Sequence, residues 1–211
     1  MTSANVTWHE GAVGREERWE ALGTRGATLW FTGLPASGKS TIASAVEARL
    51  VRAGRLAYRL DGDNLRHGVC GDLGFSAEDR EENVRRTAEV ARLLADAGAI
   101  AIVSVVSPFA SGRLAARELH ARDGIQFSEI FVNTPVEECM RRDPKGLYKR
   151  AAAGELTGMT GVDAPYEAPL TPDIELVGGC EIETAVKQVL ALLDAAVATP
   201  AAPRHRRASH A

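Results

Sequence analysis

A glycine-rich stretch early in the chain constrains the fold more than any other feature. It matches the pattern Gly-x-x-x-x-Gly-Lys-Ser/Thr, in which inward-pointing backbone N–H groups and a lysine bind the phosphates of a nucleoside triphosphate. We predict that the Ser40 hydroxyl ligates Mg²⁺ and that Lys39 takes part in catalysis. The residues predicted to bind the nucleotide are Gly33, Leu34, Pro35, Ala36, Ser37, Gly38, Lys39, Ser40 and Thr41.

The residues on either side of this loop supply the context that the motif requires. Residues 27–32 form a short run of apolar and β-forming side chains, which is typical of a buried strand. After the loop, Ile42, Val46 and Leu50 recur every fourth residue and indicate one face of a helix. This order of strand, loop and helix favours a nucleotide-binding unit over a surface turn that carries a lysine by chance.

Strands and helices alternate along the rest of the chain. The pattern predicts further strands over 56–61, 99–106, 127–132 and 174–177. It predicts helices over 15–22 and 112–122, from Ser76 to about Gly98, from about residue 133, and along the stripe Ile182, Val186, Val189, Leu190, Leu193 and Val197. The alternation indicates an α/β, αβα-layered fold of the P-loop NTPase type with a mostly parallel five-stranded sheet.

Composition bounds the organisation and the class of protein. We expect a lead-in segment over residues 1–25, a P-loop kinase domain over 26–198 and a disordered tail over 199–211. The formal net charge of −3 gives no reason to expect nucleic acid or a membrane as a partner, and no apolar run reaches transmembrane length. Three widely spaced cysteines without a Cys-x-x-Cys pair favour a cytoplasmic location.

Two carboxylates, Asp61 and Asp63, follow the second predicted strand. In open α/β sheets this edge is where ligands bind. A carboxylate there can hold Mg²⁺ or accept a proton from an attacking hydroxyl. Because Asp-Gly is also a common turn sequence, we expect chemistry from Asp63 first and from Asp61 second.

Arginines cluster after these carboxylates. Guanidinium groups bind phosphate and sulfate bidentately, so Arg66 and Arg80 suggest an anionic acceptor, whereas Arg85 and Arg86 fit a solvated helix face. The basic segment 141–150 is either a lid over the transferring phosphate or another solvated face. The side chain of Phe75 either stacks on a base or belongs to the core.

Several spaced motifs together resemble the adenylylsulfate kinase (APS kinase) family over residues 5–176. They are Thr32-Gly33-Leu34 with the loop, Asp61–Arg66, Leu73–Ser76, Asp79-Arg80 with Asn83, Ser107-Pro108, Arg142–Tyr148, Thr160-Gly161 and Tyr166-Glu167. The resemblance implies transfer of the ATP γ-phosphate to the 3′-hydroxyl of adenosine 5′-phosphosulfate (APS), giving 3′-phosphoadenylylsulfate (PAPS) and ADP in sulfate assimilation. It also implies Mg²⁺ and a homodimer, and it leaves open whether the chain works alone or in association with an ATP sulfurylase.

The resemblance further implies roles for individual residues. Asp63 would be the base or a metal-linked carboxylate, and Lys145 would belong to a catalytic lid. Ser107 matches a serine that family descriptions assign as a phosphoserine intermediate; we expect it to position substrate, because the sequence names no base beside it. The residues implied for APS are Asp61, Asp63, Arg66, Phe75, Arg80, Asn83, Val106, Ser107, Lys145, Leu147 and Met159.

The chain departs from the family pattern at two of these positions. Met159 stands where a phenylalanine commonly forms the second face of an adenine sandwich, although a thioether can still contact an aromatic ring. Val106 before Ser107 is a conservative change.

Other classes of protein share the same loop. A small-metabolite kinase of the gluconate type would carry it, but without the 63–66 and 75–83 motifs. A GTP-hydrolysing regulatory module would require a guanine-reading Asn-Lys-x-Asp, which the chain lacks. A PAPS-binding sensor would not need Lys39, Ser40 and Asp63 together.

Overall fold

The fold is built on one sheet of five parallel strands. The computed structural model describes residues 5–7, 9 and 11–198, so the tail 199–211, predicted to be disordered, lies outside the described residues. The strands are β1 Ala27–Thr32, β2 Ala57–Asp61, β3 Ile100–Ser104, β4 Gln126–Asn133 and β5 Ile174–Val177. They lie in the order β2-β3-β1-β4-β5, and every pairing is parallel, which confirms the predicted sheet.

Helices cover both faces of this sheet. They are α1 Arg15–Leu22, α2 Lys39–Arg52, α3 Gly62–Leu65, α4 Ala77–Asp96, α5 Ala110–Arg122, α6 Val136–Arg142, α7 Leu147–Ala152 and α8 Ile182–Ala198. Side chains alternate along β1: Leu29 and Phe31 pack towards α2 and α8, whereas Trp30 packs towards α4 and α5. Both faces of the sheet are therefore buried, as a parallel sheet requires.

The predicted helix faces are buried with a few exceptions. In α2, Ile42, Val46 and Leu50 are all buried, as the spacing predicts. The stripe predicted for α8 is wrong at its first residue, because Ile182 is 47% exposed while Val186, Val189 and Leu193 are buried. Helix α8 begins at Ile182, so this side chain lies at the open end of the helix.

Most element ends differ from the prediction by two residues or fewer, but α6 begins at Val136, three residues after the predicted start at about residue 133. Strand β3 spans residues 100–104 instead of 99–106; Val105 N still bonds the Phe31 carbonyl at 3.4 Å, but the strand pairing ends at Ser104. Helix α5 begins at Ala110, two residues before the predicted start. At the start of α4, Ser76 Oγ accepts a hydrogen bond from Asp79 N at 3.1 Å, as the predicted cap requires.

The helix of the lead-in segment packs on the end of α4. Trp19 Nε1 donates to the carbonyls of Ala95 (3.3 Å) and Asp96 (3.1 Å). Arg15 and Arg18 form ion pairs with the Asp96 carboxylate. Helix α1 therefore does not stand alone, although the boundary at residue 25 stays a prediction. None of the helices within residues 11–198 combines the length and apolarity that a membrane crossing requires.

Candidate active site

The loop between β1 and α2 has a backbone that favours glycine at its two ends. Gly33 has φ of +146° and Gly38 has φ of +108°. A Cβ on Gly33 would lie 2.7 Å from the carbonyl oxygen of Val132, so the neighbouring strand excludes any side chain there. Gly38 immediately precedes the first turn of α2, whose unpaired N–H groups create a site for an anion.

The ammonium group of Lys39 lies inside this loop. Its Nζ donates to the Leu34 carbonyl at 2.7 Å and to Ser37 Oγ at 3.3 Å. Burial lowers the pKa of Lys39 from 10.5 to about 8, although the nearby Cys139 and Asp61 act in the opposite direction. Both hydrogen-bond acceptors are neutral oxygens, so an anionic phosphate would be a stronger partner for this cation.

A cleft of about 350 Å³ lies at the carboxyl ends of β1, β2 and β3. All eleven residues implied for APS line it, together with Pro35, Ala36, Lys39 and Ser40 of the loop. The other predicted loop residues, Gly33, Leu34, Ser37, Gly38 and Thr41, do not line this cleft. The fold thus brings the predicted donor and acceptor residues to one space, and their individual roles stay predictions.

The two carboxylates after β2 have different partners. Asp61 caps α3: its Oδ1 accepts from Asp63 N at 3.1 Å, and its Oδ2 accepts from Arg59 Nη1 at 2.6 Å. Asp61 is 8% exposed, whereas the Asp63 side chain is 64% exposed and contacts Lys145 Nζ. Asp63 is consequently the more accessible of the two carboxylates.

Phe75 and two arginines form one wall of the cleft. The Phe75 side chain is 62% exposed, so the interpretation of this residue as core is wrong. The Arg66 guanidinium lies 4.2 Å from the ring centroid and that of Arg80 lies 5.6 Å away. Arg66 bonds the carbonyls of Leu73 and Gly74, and Arg80 bonds those of Phe75 and Gly158.

The other two arginines lie on the outer side of α4. Arg85 pairs with Glu82 and its side chain is 61% exposed, as predicted. Arg86 is not a freely solvated side chain: it pairs with Glu82 and Asp72 and donates to the Val69 carbonyl. These bonds fix the connection between α3 and α4, on which Phe75 lies, by contacts that the sequence spacing does not reveal.

Asn83 and Thr160 line the cleft with polar atoms that have no hydrogen-bond partner. Asn83 is 7% exposed and Thr160 is 1% exposed. The unpaired atoms are Asn83 Nδ2 and Thr160 Oγ1. An unmet buried donor is costly, and a bound ligand is one way to satisfy it.

Ser107 lines the cleft but is nearly buried, and its backbone is strained. Its φ is +40°, an unfavourable region for a residue with a Cβ, and its side chain is 2% exposed. Its Oγ accepts a hydrogen bond from Trp30 Nε1 at 3.1 Å. Among the hydrogen bonds of the described residues, none joins Ser107 Oγ to a carboxylate or imidazole.

The basic segment 141–150 lies against the loop and is not simply a solvated helix face. Lys145, in the turn between α6 and α7, contacts the Asp63 carboxylate. Arg142 Nη1 donates to the Ser37 carbonyl at 3.2 Å, and its Nε pairs with Glu138 at 2.7 Å. This placement supports the interpretation of the segment as a lid.

Met159 belongs to a small third core next to the cleft. It is 4% exposed and clusters with Cys139 and Tyr148. Sequence reasoning gave Tyr148 no role, yet its hydroxyl donates to the Pro35 carbonyl at 3.1 Å and thereby links α7 to the loop. Its position within the 142–148 motif was the only signal that could have indicated this contact.

The sheet order and the glycine loop define a P-loop kinase. The sequence model of the adenylylsulphate kinase family matches residues 25–177. The chain belongs to the adenylylsulphate kinase family, and it is an ATP-dependent kinase.

Individual relatives agree with this assignment. The adenylyl-sulfate kinase of Enterobacter sp. (strain 638) is 51% identical over 90% of this chain and 93% of its own length. The Mycobacterium tuberculosis APS kinase CysC, solved in complex with AMPPNP and APS, is 52% identical with a TM-score of 0.79 over 81% of this chain and 99% of that one. The bifunctional enzyme NodQ of Rhizobium sp. (strain N33) is 58% identical over 82% of this chain, which spans only 26% of NodQ.

Proposed function

We propose that this chain transfers the γ-phosphate of ATP to the 3′-hydroxyl of APS and releases PAPS and ADP. One observation carries the proposal at the level of the site: a single cleft is lined by Lys39 on one side and by Phe75, Arg66 and Arg80 on the other. The relative from M. tuberculosis, solved with AMPPNP and APS, supports the same pair of substrates.

The loop is the proposed donor site. Its backbone N–H groups and the N-terminus of α2 hold the phosphates, and Lys39 exchanges its neutral acceptors for phosphate oxygens. The lid residue Lys145 adds a second positive charge over the transferring group.

The wall of Phe75 and the arginines is the proposed acceptor site. The exposed ring stacks on the adenine of APS, and the guanidinium groups of Arg66 and Arg80 face its phosphosulfate. The Asn83 amide, which has an unpaired donor, gains a hydrogen bond from the bound acceptor. Asp63 accepts the proton of the attacking 3′-hydroxyl, and Ser107 positions the acceptor beside it.

The oxygen donors of the cleft fit Mg²⁺. Ser40 Oγ lies 3.1 Å from Ser104 Oγ, and the Asp61 and Asp63 carboxylates line the same space. No group of three or more His, Cys, Asp or Glu residues in the described part of the chain could hold a metal ion by itself. Mg²⁺ typically keeps water and substrate phosphates as ligands, so the Ser40 hydroxyl, with Asp63 reached through a water ligand, would be the contribution of the protein. Bound there, it would neutralise the charge that develops on the phosphates.

The proposal also covers the oligomeric state of the chain, its protein partner and its location in the cell. We propose a homodimer, which sedimentation velocity tests directly, and an association with ATP sulfurylase, which co-purification tests. The match to one quarter of a bifunctional enzyme supports a link to a second activity. The free thiols of Cys70, Cys139 and Cys180 support a cytoplasmic location.

The deciding experiment measures ADP release from ATP with APS, with gluconate and with no acceptor, and identifies PAPS by mass spectrometry. We expect APS-dependent release and no stimulation by gluconate. Turnover with gluconate alone would identify a small-metabolite kinase, and binding of PAPS without turnover would identify a sensor.

A further inference from the structure

A buried arginine outside the cleft joins three separate parts of the acceptor side. Arg113 lies on α5 and is 3% exposed. Its Nε bonds Glu129 Oε1 at 2.7 Å, its Nη1 bonds the Ser107 carbonyl at 2.7 Å, and its Nη2 bonds the Glu167 carbonyl at 2.6 Å. One guanidinium thus links β4, the turn after β3 and the loop before β5.

Two of the three parts that Arg113 joins, the turn after β3 and the loop before β5, carry residues that line the cleft. Ser107 belongs to the turn after β3, and Met159 and Thr160 belong to the loop that ends near Glu167. The Glu167 side chain accepts from Ala110 N at 2.7 Å, and its N–H donates to the Pro108 carbonyl at 2.8 Å. The opposite end of the same loop is held by Arg80, whose Nη2 bonds the Gly158 carbonyl at 2.7 Å.

We propose that Arg113 is a positioning residue that sets the spacing between the Ser107 turn and the 156–167 loop, and thereby the shape of the APS site. Only a guanidinium has donors in three directions in one plane, so a lysine cannot make all three bonds at once. The strained φ of +40° at Ser107 requires support from its surroundings, and the bond from Arg113 to its carbonyl provides it. Arg113 makes no direct hydrogen bond to the loop at Gly33–Thr41, although the 156–167 loop packs on Leu34, so we expect its main effect on the acceptor.

The test is the Arg113→Lys variant, which keeps a positive charge for Glu129 and removes the two bonds to carbonyls. Its matched control is Arg117→Lys. Arg117 lies one turn further along α5 and pairs with Asp173 at 2.6 Å and with Glu129 at 3.7 Å, but it contacts neither segment of the cleft. We expect Arg113→Lys to raise the KM for APS by about 10- to 100-fold and to leave the KM for ATP within about twofold.

A second variant tests the proposal if Arg113→Lys does not fold. Glu167→Ala removes the exposed hydrogen bond from Ala110 N to the Glu167 side chain and leaves no buried charge unpaired. We expect it to raise the KM for APS as well, by a smaller factor than Arg113→Lys does. Thermal unfolding of each variant shows whether a higher KM comes from a protein that has lost its fold or from a folded protein whose cleft segments are displaced. Equal increases in both KM values, or an effect of Arg117→Lys as large as that of Arg113→Lys, would overturn the proposal.

Hydrogen–deuterium exchange provides a readout that does not need turnover. Peptides over residues 157–168 should exchange faster in Arg113→Lys than in the wild type and in Arg117→Lys. The APS part of this inference rests on the proposed function, and a wild type inactive on APS would refute that function and the acceptor role together. Unchanged exchange in Arg113→Lys would refute the positioning role alone, whatever the substrate.

Discussion

The indole Nε1 of Trp30 donates a hydrogen bond to Ser107 Oγ at 3.1 Å, so this hydroxyl is held as an acceptor inside the core. Trp30 is fully buried in the middle of the central strand β1. A nucleophilic serine must also donate its proton to a base, and no carboxylate or imidazole of the described residues accepts a hydrogen bond from this hydroxyl. The relationship favours direct transfer between the two substrates over a phosphorylated enzyme.

The first prediction concerns this serine. Ser107→Ala should lower kcat by no more than about tenfold, because the hydroxyl positions the substrate and is not the nucleophile. Loss of a true nucleophile would cost on the order of 10⁶-fold. Steady-state kinetics measures the change, and intact-mass spectrometry with ATP alone should show no added phosphoryl group. Trp30→Phe, which removes the donor and keeps the serine, is the control for position. Complete inactivity of Ser107→Ala together with a phosphorylated wild type would establish a covalent intermediate.

A second prediction separates chemistry from stability at Asp63. Asp63→Asn should lower kcat by about 10²- to 10⁴-fold, because the amide cannot accept the hydroxyl proton. The unfolding temperature should hardly change, because exposed ion pairs contribute little and both Asp63 (64%) and Lys145 (58%) are exposed. Asp194→Asn is the matched control, since Asp194 is an exposed aspartate paired with Arg55 outside the cleft. Full activity of Asp63→Asn would remove the role of base from this residue.

The third prediction concerns the uptake of protons by Lys39 when ATP binds. Its pKa is lowered to about 8 by burial, and bound phosphates should raise it again. ATP binding above about pH 8 should therefore take up protons, which titration calorimetry in buffers of different ionisation enthalpy measures. Lys39→Arg should bind ATP without this uptake, because a guanidinium stays protonated. Equal proton uptake by both proteins would place the titrating group elsewhere.

The same shift fixes the sign of a stability effect. Between about pH 8 and pH 10.5 the unfolded chain holds more protons on Lys39 than the folded chain does. The Lys39 contribution to the free energy of unfolding of the unliganded protein therefore rises with pH across that window.

The fourth prediction tests the adenine-binding face. Phe75→Leu should raise the KM for APS by about 5- to 100-fold, since stacking on an aromatic ring is worth about 1–3 kcal/mol per base. The KM for ATP and the unfolding temperature should not change, because the ring is 62% exposed. Leu93→Ala, a loss of an equally exposed apolar side chain on α4, controls for general surface effects. An unchanged KM for APS would mean that the base binds elsewhere.

The fifth prediction restores the aromatic residue that is common in the family. Met159→Phe should lower the KM for APS and also lower the unfolding temperature, because a larger ring overpacks the small core around Tyr148 and Cys139. Kinetics and thermal unfolding of the same preparation measure both effects. A stable variant with an unchanged KM would show that residue 159 does not contact the base.

Local patterns predicted the framework of this protein well. The spacing of Ile42, Val46 and Leu50 predicted the buried face of α2, and the glycine pattern predicted the loop. These features depend on neighbours within one or two turns, so the sequence alone contains them. The alternation of strands and helices then limited the topology to a parallel sheet.

Contacts between distant segments could not be predicted in the same way. Arg113 carries no motif of its own, and its three partners come from residues 6 to 54 positions away. Met159 was expected opposite a ring, but its burial depends on how α6 and α7 pack against the loop. The contact between Lys145 and Asp63 spans 82 positions and exists only because the fold places both at one edge.

The arginines beside Phe75 keep their charge unneutralised. Arg66 and Arg80 bond main-chain carbonyls, and neither forms an ion pair with a carboxylate among the described residues. In a chain whose net charge is −3, they create a local positive potential at the entrance to an otherwise acidic molecule. We therefore expect the rate at which a dianionic acceptor binds, more than its affinity, to depend on ionic strength.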